Sequence, residues 1–327
     1  MNNNSDINLQ KLTDKQKVWL TQLSYINLTK EGLEKLKTES LTISEFDKFL
    51  DKPNSQMYGN ILGNKNEPLS KSIADAYIGR KDSLITKKQL LQELKNLNLG
   101  NLSIIDITND SKTGFQAIAF KDQYDNIGIS YRGSDCEWEN GGLKDWALAD
   151  LGEFLTNDSK QIHQAIDFFN KHKHTDGNNY LYGHSLGGNL TAHTYLKKHK
   201  EITQAFSYNG LPIHQSLLNT KEKIQAFNEP KFICAAVAGD ILQHIKKDDL
   251  YSDKVIFIKN NKTAKPSLLS AHLPQANTYD ENDNFVIISR KEAWKELSSA
   301  RQIIASLAKN LNTIVGSIHD KKNKEEN

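Results

Sequence analysis

The feature that most constrains this chain is a pentapeptide, Gly-His-Ser-Leu-Gly at residues 183–187, which lies where a strand pattern gives way to a helix pattern. The apolar residues 180–182 predict a strand, and residues 185–198 predict a helix. A serine on such a turn adopts strained backbone angles, so its neighbours must be small. The pattern favours Ser185 as a nucleophile at the edge of a sheet over an idle serine in a glycine-rich turn.

The region from residue 102 onward predicts an α/β fold. Three short β-rich runs come first, and strands then alternate with helices. Such alternation implies a mostly parallel central sheet that is covered on both faces. The predicted strands are 102–107, 115–120, 127–131, 180–182, 205–208, 232–237, 255–258 and 285–288, and the predicted helices are 159–173, 185–198 and 214–227.

Residues 12–99 predict helices on the N-terminal side of this sheet. Capping-box patterns begin at Thr13, Thr42 and Thr86, and Gly100 is the expected stop of the last helix. We therefore expect three parts: a helical N-terminal extension packed on the core (1–100), an α/β core (101–290), and a C-terminal amphipathic helix with a tail (291–327).

The predicted C-terminal helix carries an apolar seam. Between residues 294 and 318, mostly apolar side chains recur at alternating spacings of three and four, with one charge at Arg301. In the simpler interpretation, this seam packs along its own domain. In the alternative, it pairs with a helix of a partner or of a longer parent protein.

A serine hydroxyl is a poor nucleophile at neutral pH and needs a base, usually an imidazole that a carboxylate orients. Asp240 follows the apolar run 232–237, at the carboxyl end of a strand, where α/β sheets place their sites. His272 lies in a loop after the strand near residue 255. We expect Ser185, Asp240 and His272 to form a catalytic triad.

A plainer interpretation stays open for both partners of the serine. Asp240 is also placed to cap a helix, and His272 is also typical of a surface loop. Two other histidines are weaker candidates for the base. His244 lies only four residues after Asp240, and His319 lies near the C-terminal end.

The tetrahedral intermediate of acyl transfer needs two amide donors. Leu186, the residue after the nucleophile, is expected to supply one through its N–H. The other is expected from residues 132–135, where a strand ends in a glycine turn. His184 adjoins the serine, but at such a turn its side chain is expected to point away and to pack.

Composition excludes several classes of protein. The net charge is +2, from 42 basic and 40 acidic residues, so the chain lacks the basic excess that is typical of nucleic-acid-binding proteins. The first residues lack the pattern of a signal peptide, and no apolar run spans a bilayer. The default expectation is therefore a cytoplasmic protein, with leaderless export of the type VII kind as the alternative. No group of residues has metal-ligand spacing, so we expect neither a metal nor another cofactor.

These motifs together resemble the class 3 lipase branch of the α/β-hydrolases, and more closely the bacterial Mbeg1-like family of lipase-like proteins. The resemblance extends over about residues 14–290. Besides the serine pentapeptide, it rests on Gln-Leu-Ser-Tyr-Ile-Asn (22–27), Ile-Ser-Tyr-Arg-Gly-Ser-Asp (129–135), Lys-Asp-Trp-Ala-Leu-Ala-Asp (144–150), Gly-Asp-Ile-Leu (239–242) and Ala-His (271–272).

The resemblance implies a role for several residues. It makes Ser185 the nucleophile, Asp240 the orienting acid and His272 the base, and it makes Ser134 the second oxyanion residue. It also places a lid over the segment that contains Trp138, Gly141 and Gly142. The family's Asp-x-Val-Pro pattern is here Asp-Ile-Leu-Gln at residues 240–243, which lacks the proline.

The predicted function is that of a serine carboxylic-ester hydrolase acting on lipid acyl esters, of the lipase or phospholipase A type, with transient contact to a membrane surface. Two alternatives stay open. The same triad serves a thioesterase or another acyl hydrolase, and a catalytically idle hydrolase fold serves as an interaction module, for example in an exported lipase toxin.

Overall fold

The fold was determined from a computed structural model, which describes residues 6–55, 85–133, 159–240, 250–251, 254–261 and 270–296. Its centre is a sheet that has nine strands among the described residues, in the order β1-β2-β3-β4-β5-β6-β8-β10-β11. The strands are β1 (Leu41–Thr42), β2 (Ser103–Asp110), β3 (Phe115–Lys121), β4 (Ile127–Tyr131), β5 (Asn179–His184), β6 (Gln204–Tyr208), β8 (Phe232–Val237), β10 (Ile256–Ile258) and β11 (Ile287–Ile288). A separate pair joins β7 (Ile213–His214) to β9 (Leu250–Tyr251).

The centre of the large sheet is parallel. Strands β4, β5, β6, β8 and β10 pair in parallel with their neighbours, whereas β1 to β4 form an antiparallel meander and β11 pairs antiparallel with β10. Parallel strands present their carboxyl ends at one edge of the sheet. The structure therefore confirms the predicted α/β-hydrolase class, and it brings the ends of β5, β6 and β8 together.

Helices cover both faces of this sheet. On one face, Leu20 and Leu94 of the N-terminal helices share a hydrophobic core with Tyr182 and Phe206. On the other face, Phe169 and other helical side chains form a second core with strand residues of the opposite orientation. The helices are α1 (Asp14–Gln22), α2 (Lys30–Thr38), α3 (Lys87–Asn96), α4 (Lys160–His172), α5 (Leu186–Lys198) and α6 (Lys221–Asn228).

The N-terminal residues are tied to distant parts of the sheet by buried polar contacts. The amide of Leu9 donates to the carboxylate of Asp122 at 2.9 Å, in the turn between β3 and β4. The amide of Phe285 donates to the carboxylate of Asp14 at 3.1 Å. Each contact satisfies a backbone donor and ties the N-terminal region to the sheet or to the segment beside it.

Two local expectations are wrong. The helix predicted to stop at Gly100 ends at Asn96, and Asn98, with φ 60°, takes the left-handed conformation that closes it. The helix predicted over 214–227 begins only at Lys221. The first residues of the predicted helix instead form the end of strand β7 and a 3-10 turn, because Ile213 and His214 pair with β9.

Most of the predicted C-terminal helix lies outside the described residues. A helix begins at Arg290 and is described as far as Glu296. Trp294 packs beside Phe257, Ala238 and Ala293. The remainder of the seam up to residue 318, and the partner helix inferred from it, stay predictions, as does the division into three parts. Among the described helices, none has the length and apolar character needed to cross a membrane.

We predict that Leu20→Ala lowers the free energy of unfolding by about 2–5 kcal/mol, the usual cost of emptying a fully buried leucine site. Leu20 is 0% exposed and shares its core with the sheet. Urea unfolding followed by tryptophan fluorescence measures the loss. The matched control is Leu33→Ala on α2, because Leu33 is 37% exposed. A separate early transition for the Leu20 variant, with the main transition unchanged, would contradict the shared core.

Candidate active site

Ser185 lies between the end of β5 and the start of α5, with φ 58° and ψ −124°. A non-glycine residue with positive φ is strained and persists only where the surroundings fix it. Here the amide of Ser185 donates to the carbonyl of Tyr208 at 3.1 Å, and its carbonyl accepts from the amides of Gly188 and Leu211. The backbone of the serine is thus held by the next strand and by the helix that follows.

The two glycines of the pentapeptide are required by close backbone approach. A Cβ atom on Gly183 would overlap the carbonyl of Gly187, and one on Gly187 would overlap the carbonyl of Tyr131 at the end of β4. Gly188 is similarly confined, since its Cβ would lie 2.7 Å from Cα of Gly210. Small residues therefore let α5 start directly against the ends of β4 and β6.

The hydroxyl of Ser185 is not used to cap the helix that it precedes. Serine at an N-cap commonly accepts a hydrogen bond from an amide of the first turn, but the side chain of Ser185 makes no such bond. The amides of Leu186 and Gly187, the first two of the helix, have no carbonyl ahead of them in the helix to accept their hydrogen bonds. They form a positive helix end beside the serine, where a developing negative charge is stabilised.

Asp240 lies just beyond β8, in a turn closed by Gly239 at φ 93°. Its amide donates to the carbonyl of Val237 at 3.0 Å. The residue is fully buried. A buried carboxylate is costly unless hydrogen bonds compensate the loss of water, and one of these comes from an imidazole.

His272 supplies that hydrogen bond. Its Nδ1 lies 2.6 Å from Oδ2 of Asp240, and its side chain is only 9% exposed. A carboxylate at Nδ1 places the proton on that nitrogen and leaves Nε2 as an acceptor. Sequence reasoning paired these residues only through chain order and position, and the structure brings them together.

The contact between the Ser185 turn and the loop of His272 runs through His184. No hydrogen bond connects the serine hydroxyl and the imidazole in the part of the chain that the structure describes. The adjoining His184 nevertheless packs its ring 4.5 Å from that of His272, measured between centroids. Hydrogen bonds between a nucleophile and its general base are often long in unliganded sites and shorten when substrate binds. The loop of His272 therefore packs against the residue that precedes Ser185, at the carboxyl edge of the sheet.

His184 is fully buried and binds the backbone of the base. Its Nε2 lies 2.9 Å from the carbonyl oxygen of His272, and its Nδ1 lies 3.1 Å from the hydroxyl of Tyr25. Burial, followed by the nearby charge of His272, holds the pKa of His184 well below its usual range. The ring is therefore neutral and joins two distant segments, which goes beyond the packing role expected for it.

Asn209 also fixes the loop of the base. It follows β6 with φ 44° and is fully buried. Its Nδ2 donates to the carbonyls of Ala271 and His272 at 3.2 and 3.0 Å, and its Oδ1 accepts from the amide of Val237 at 2.9 Å. One side chain thus connects the strand that precedes Asp240 with the loop that carries His272. Sequence reasoning missed Asn209, although an asparagine directly after a strand is typical of a left-handed turn.

Several predicted site residues lie outside the described residues. They are the second oxyanion residue Ser134 and the lid residues Trp138, Gly141 and Gly142. The described part of the glycine turn ends at Gly133, whose Cβ, if it had one, would lie 3.1 Å from Cβ of Ser185. The turn expected to supply an oxyanion donor therefore approaches the serine.

Among the described residues, no group of three histidine, cysteine, aspartate or glutamate side chains is placed to hold a metal ion. His172 contacts a carboxylate: its Nε2 lies 2.7 Å from Oδ2 of Asp106. That contact ties α4 to β2.

Comparison with known proteins gives one family match. The model of the phospholipase-like family, described as a Tle-like phospholipase domain, matches residues 72–278. No curated protein matches the chain.

Among solved structures, a deletion mutant of Rhizomucor miehei lipase in its propeptide complex has a TM-score of 0.35 and 13% identity, over 55% of this chain and 66% of that chain. The chain thus spans just under two thirds of that lipase. A triacylglycerol lipase from Penicillium expansum has a TM-score of 0.31 and 13% identity, over 50% of this chain and 72% of its own.

The buried histidines predict a loss of stability in mild acid. Burial lowers the pKa of His193 on α5 to about 4 and that of His184 well below the ordinary value. The unfolded chain binds protons at these residues near pH 6.5, whereas the folded chain does not. Stability is therefore complete above about pH 6.5 and falls below it, toward the folded pKa, by up to about 1.4 kcal/mol per pH unit for each histidine.

Urea unfolding between pH 7.5 and 5 measures this slope. His193→Leu should reduce the slope of the free energy of unfolding against pH by the contribution of one histidine, because the leucine fills the buried site and does not titrate. Ile224→Ala on the exposed side of α6 changes no titratable group; it is the control and should keep the wild-type slope. An equal slope in the wild type and the His193 variant would contradict the expectation.

Proposed function

The chain belongs to the family of Tle-like phospholipase domains, and on this premise we propose that it is a serine hydrolase that cleaves the acyl esters of phospholipids. The observation that carries the proposal is the contact between His272 Nδ1 and Asp240 Oδ2 at 2.6 Å. The carbonyl of His272 is bonded to His184, which directly precedes a serine with φ 58°. A buried, oriented imidazole next to a strained serine is the arrangement that activates a hydroxyl.

The proposed reaction has two halves. In the first, Oγ of Ser185 attacks the acyl carbonyl while Nε2 of His272 takes the hydroxyl proton and Asp240 stabilises the imidazolium that forms. The oxyanion of the tetrahedral intermediate is stabilised by the amide of Leu186 at the start of α5. His272 then gives its proton to the departing alcohol, and the acyl group stays on Ser185.

In the second half, His272 removes a proton from water, which attacks the acyl-enzyme, and then returns that proton to Oγ of Ser185 as the fatty acid is released. This chemistry is acyl transfer, so it selects the carboxylic ester of a phospholipid rather than its phosphodiester bonds. The expected products are a free fatty acid and a lysophospholipid, as for a phospholipase A. Because such substrates reside in bilayers, the proposal includes transient contact between the rim of the site and a lipid surface.

The oxyanion role of Ser134 and the lid at Trp138, Gly141 and Gly142 belong to the same proposal. A second donor in the turn after Gly133 would complete the oxyanion site, which the approach of Gly133 to Ser185 supports. A lid over an apolar acyl site would keep water out until a lipid surface is met.

We expect a fluorophosphonate probe to label the wild-type protein and to leave Ser185→Ala unlabelled, because the probe forms a covalent bond only with an activated serine. Ser55→Ala is the matched control: it removes the hydroxyl of a surface serine and should label like the wild type. Equal labelling of wild type and Ser185→Ala, or no labelling of either, would remove the proposed site. If the probe does not label the wild type, the result favours a catalytically idle interaction module.

We expect Asp240→Asn to lower kcat on phosphatidylglycerol vesicles by about 10³–10⁴-fold, the order seen when the orienting carboxylate of a serine triad is replaced. Asp125→Asn, at an exposed carboxylate paired with Lys121, is the control and should keep the wild-type rate. Mass spectrometry of the products gives the bond cleaved. Diacylglycerol or phosphatidic acid in place of lysophospholipid would contradict acyl-ester cleavage, and activity on acyl thioesters alone would favour the thioesterase.

A further inference from the structure

We infer that Tyr25 is a positioning residue of the proposed active site, where its hydroxyl holds the turn at Gly133 and the loop of His272 in register on the two sides of Ser185. The inference rests on the proposed function. Tyr25 precedes the region matched by the family model, which begins at residue 72. The N-terminal helical region therefore contributes a side chain without which the site is incomplete.

Three hydrogen bonds in series carry this inference. The amide of Gly133 donates to the Tyr25 hydroxyl oxygen at 3.2 Å. That hydroxyl lies 3.1 Å from Nδ1 of His184. Nε2 of His184 lies 2.9 Å from the carbonyl oxygen of His272. The series connects the turn after β4 with the loop of the base through one phenol and one imidazole.

The chemistry of the end groups fixes the direction of every bond. A carbonyl oxygen only accepts, so Nε2 of His184 carries the proton in that contact, and Nδ1 of the neutral ring is the acceptor. The low pKa that burial imposes on His184 keeps the ring in this neutral form. Nδ1 must then receive its proton from Tyr25, whose oxygen accepts from Gly133. A hydroxyl that donates and accepts at once fits this position, and phenylalanine cannot replace it.

The two ends of the series flank the serine. A Cβ atom at Gly133 would lie 2.9 Å from the carbonyl oxygen of His184 and 3.1 Å from Cβ of Ser185, so the peptide at Gly133 is in contact with the strand end that carries the nucleophile. At the other end, the His272 residue held by His184 is bonded to Asp240. A shift of the His272 loop changes the distance over which a proton is transferred. A shift of the turn at Gly133 changes the distance between an oxyanion and its hydrogen-bond donor.

Tyr25 is itself held in place from the adjoining chain. Gln116 of β3 donates through Nε2 to the carbonyl of Ile26 at 3.0 Å and to the side chain of Asn27 at 2.9 Å. The carbonyl of Gln116 accepts from the amide of Arg132 at 3.0 Å. The segment that presents Tyr25 is therefore bonded to the same turn that Tyr25 holds, so its phenol is positioned before substrate arrives.

The central experiment compares Tyr25→Phe with the wild type on a short-chain p-nitrophenyl ester between pH 5 and 9. The ring and its packing remain, while the hydroxyl is lost. We expect kcat to fall about tenfold, the effect of losing roughly one well-placed hydrogen bond. KM and the pH midpoint of kcat/KM should stay unchanged, because His272 and Asp240 keep their own bond.

Tyr182→Phe is the matched control. Tyr182 lies on β5, the strand that leads to the serine, and its buried hydroxyl has no hydrogen-bond partner among the described residues. The variant removes the same hydroxyl group from a tyrosine on the strand that leads to Ser185, and it should keep the wild-type kcat. Thermal unfolding of both variants identifies a loss of activity that merely follows a loss of folded protein.

A double-mutant cycle tests whether the effect passes through His184. In His184→Gln, the amide is able to donate to the carbonyl of His272 but offers no ring nitrogen to Tyr25. If Tyr25 acts through His184, adding Tyr25→Phe to this variant should lower kcat by less than twofold further, because coupled residues are not additive.

Outcomes against the inference differ from outcomes against the function. If the wild type reacts with the fluorophosphonate probe at Ser185 and Tyr25→Phe keeps the wild-type kcat, the inference is wrong and the proposed function stands. A rise in KM alone, a tenfold fall shared by Tyr182→Phe, or full additivity in the cycle would also overturn it. A wild type that neither labels nor hydrolyses the ester contradicts the proposed function itself.

Discussion

The arrangement of this protein depends on one steric constraint: α5 starts against the ends of two strands, at a serine with left-handed backbone. This close approach requires glycine at positions 183 and 187, because backbone carbonyl oxygens occupy the space that a Cβ atom would take. Once the helix is fixed there, its first amides face the same edge of the sheet as the ends of β6 and β8. The remaining site residues are then recruited to that edge by hydrogen bonds of ordinary length.

Backbone carbonyls, rather than side chains alone, place the base. The loop of His272 has little regular structure of its own, so its position depends on donors from neighbouring strand ends. His184 and Asn209 both donate to the carbonyl of His272, while Asp240 accepts a hydrogen bond from its imidazole. The loop is therefore held at its main chain by two donors and at its side chain by one carboxylate.

Local sequence carries much of this structure, but not the contacts between distant segments. The strand-to-helix turn at Ser185 and the place of Asp240 after an apolar strand follow from short-range patterns, and the structure has both there. Tyr25 has no local signal, because it meets His184 across 159 residues. Asn98 replaces Gly100 as the left-handed residue after α3, since asparagine tolerates that conformation and sequence alone does not rank the two. Catalytic roles depend on such convergence and stay proposals.

The order of these segments along the chain has a consequence for biosynthesis. The phenol at residue 25 and the serine at 185 leave the ribosome before the imidazole at 272, and the last strand of the sheet, β11 at Ile287–Ile288, emerges later still. A nascent chain that has emerged only as far as β6 therefore presents Ser185 without Asp240 and His272. Under the proposed function, the serine acquires its base only after residue 272 has left the ribosome and its loop has bonded to the strand ends.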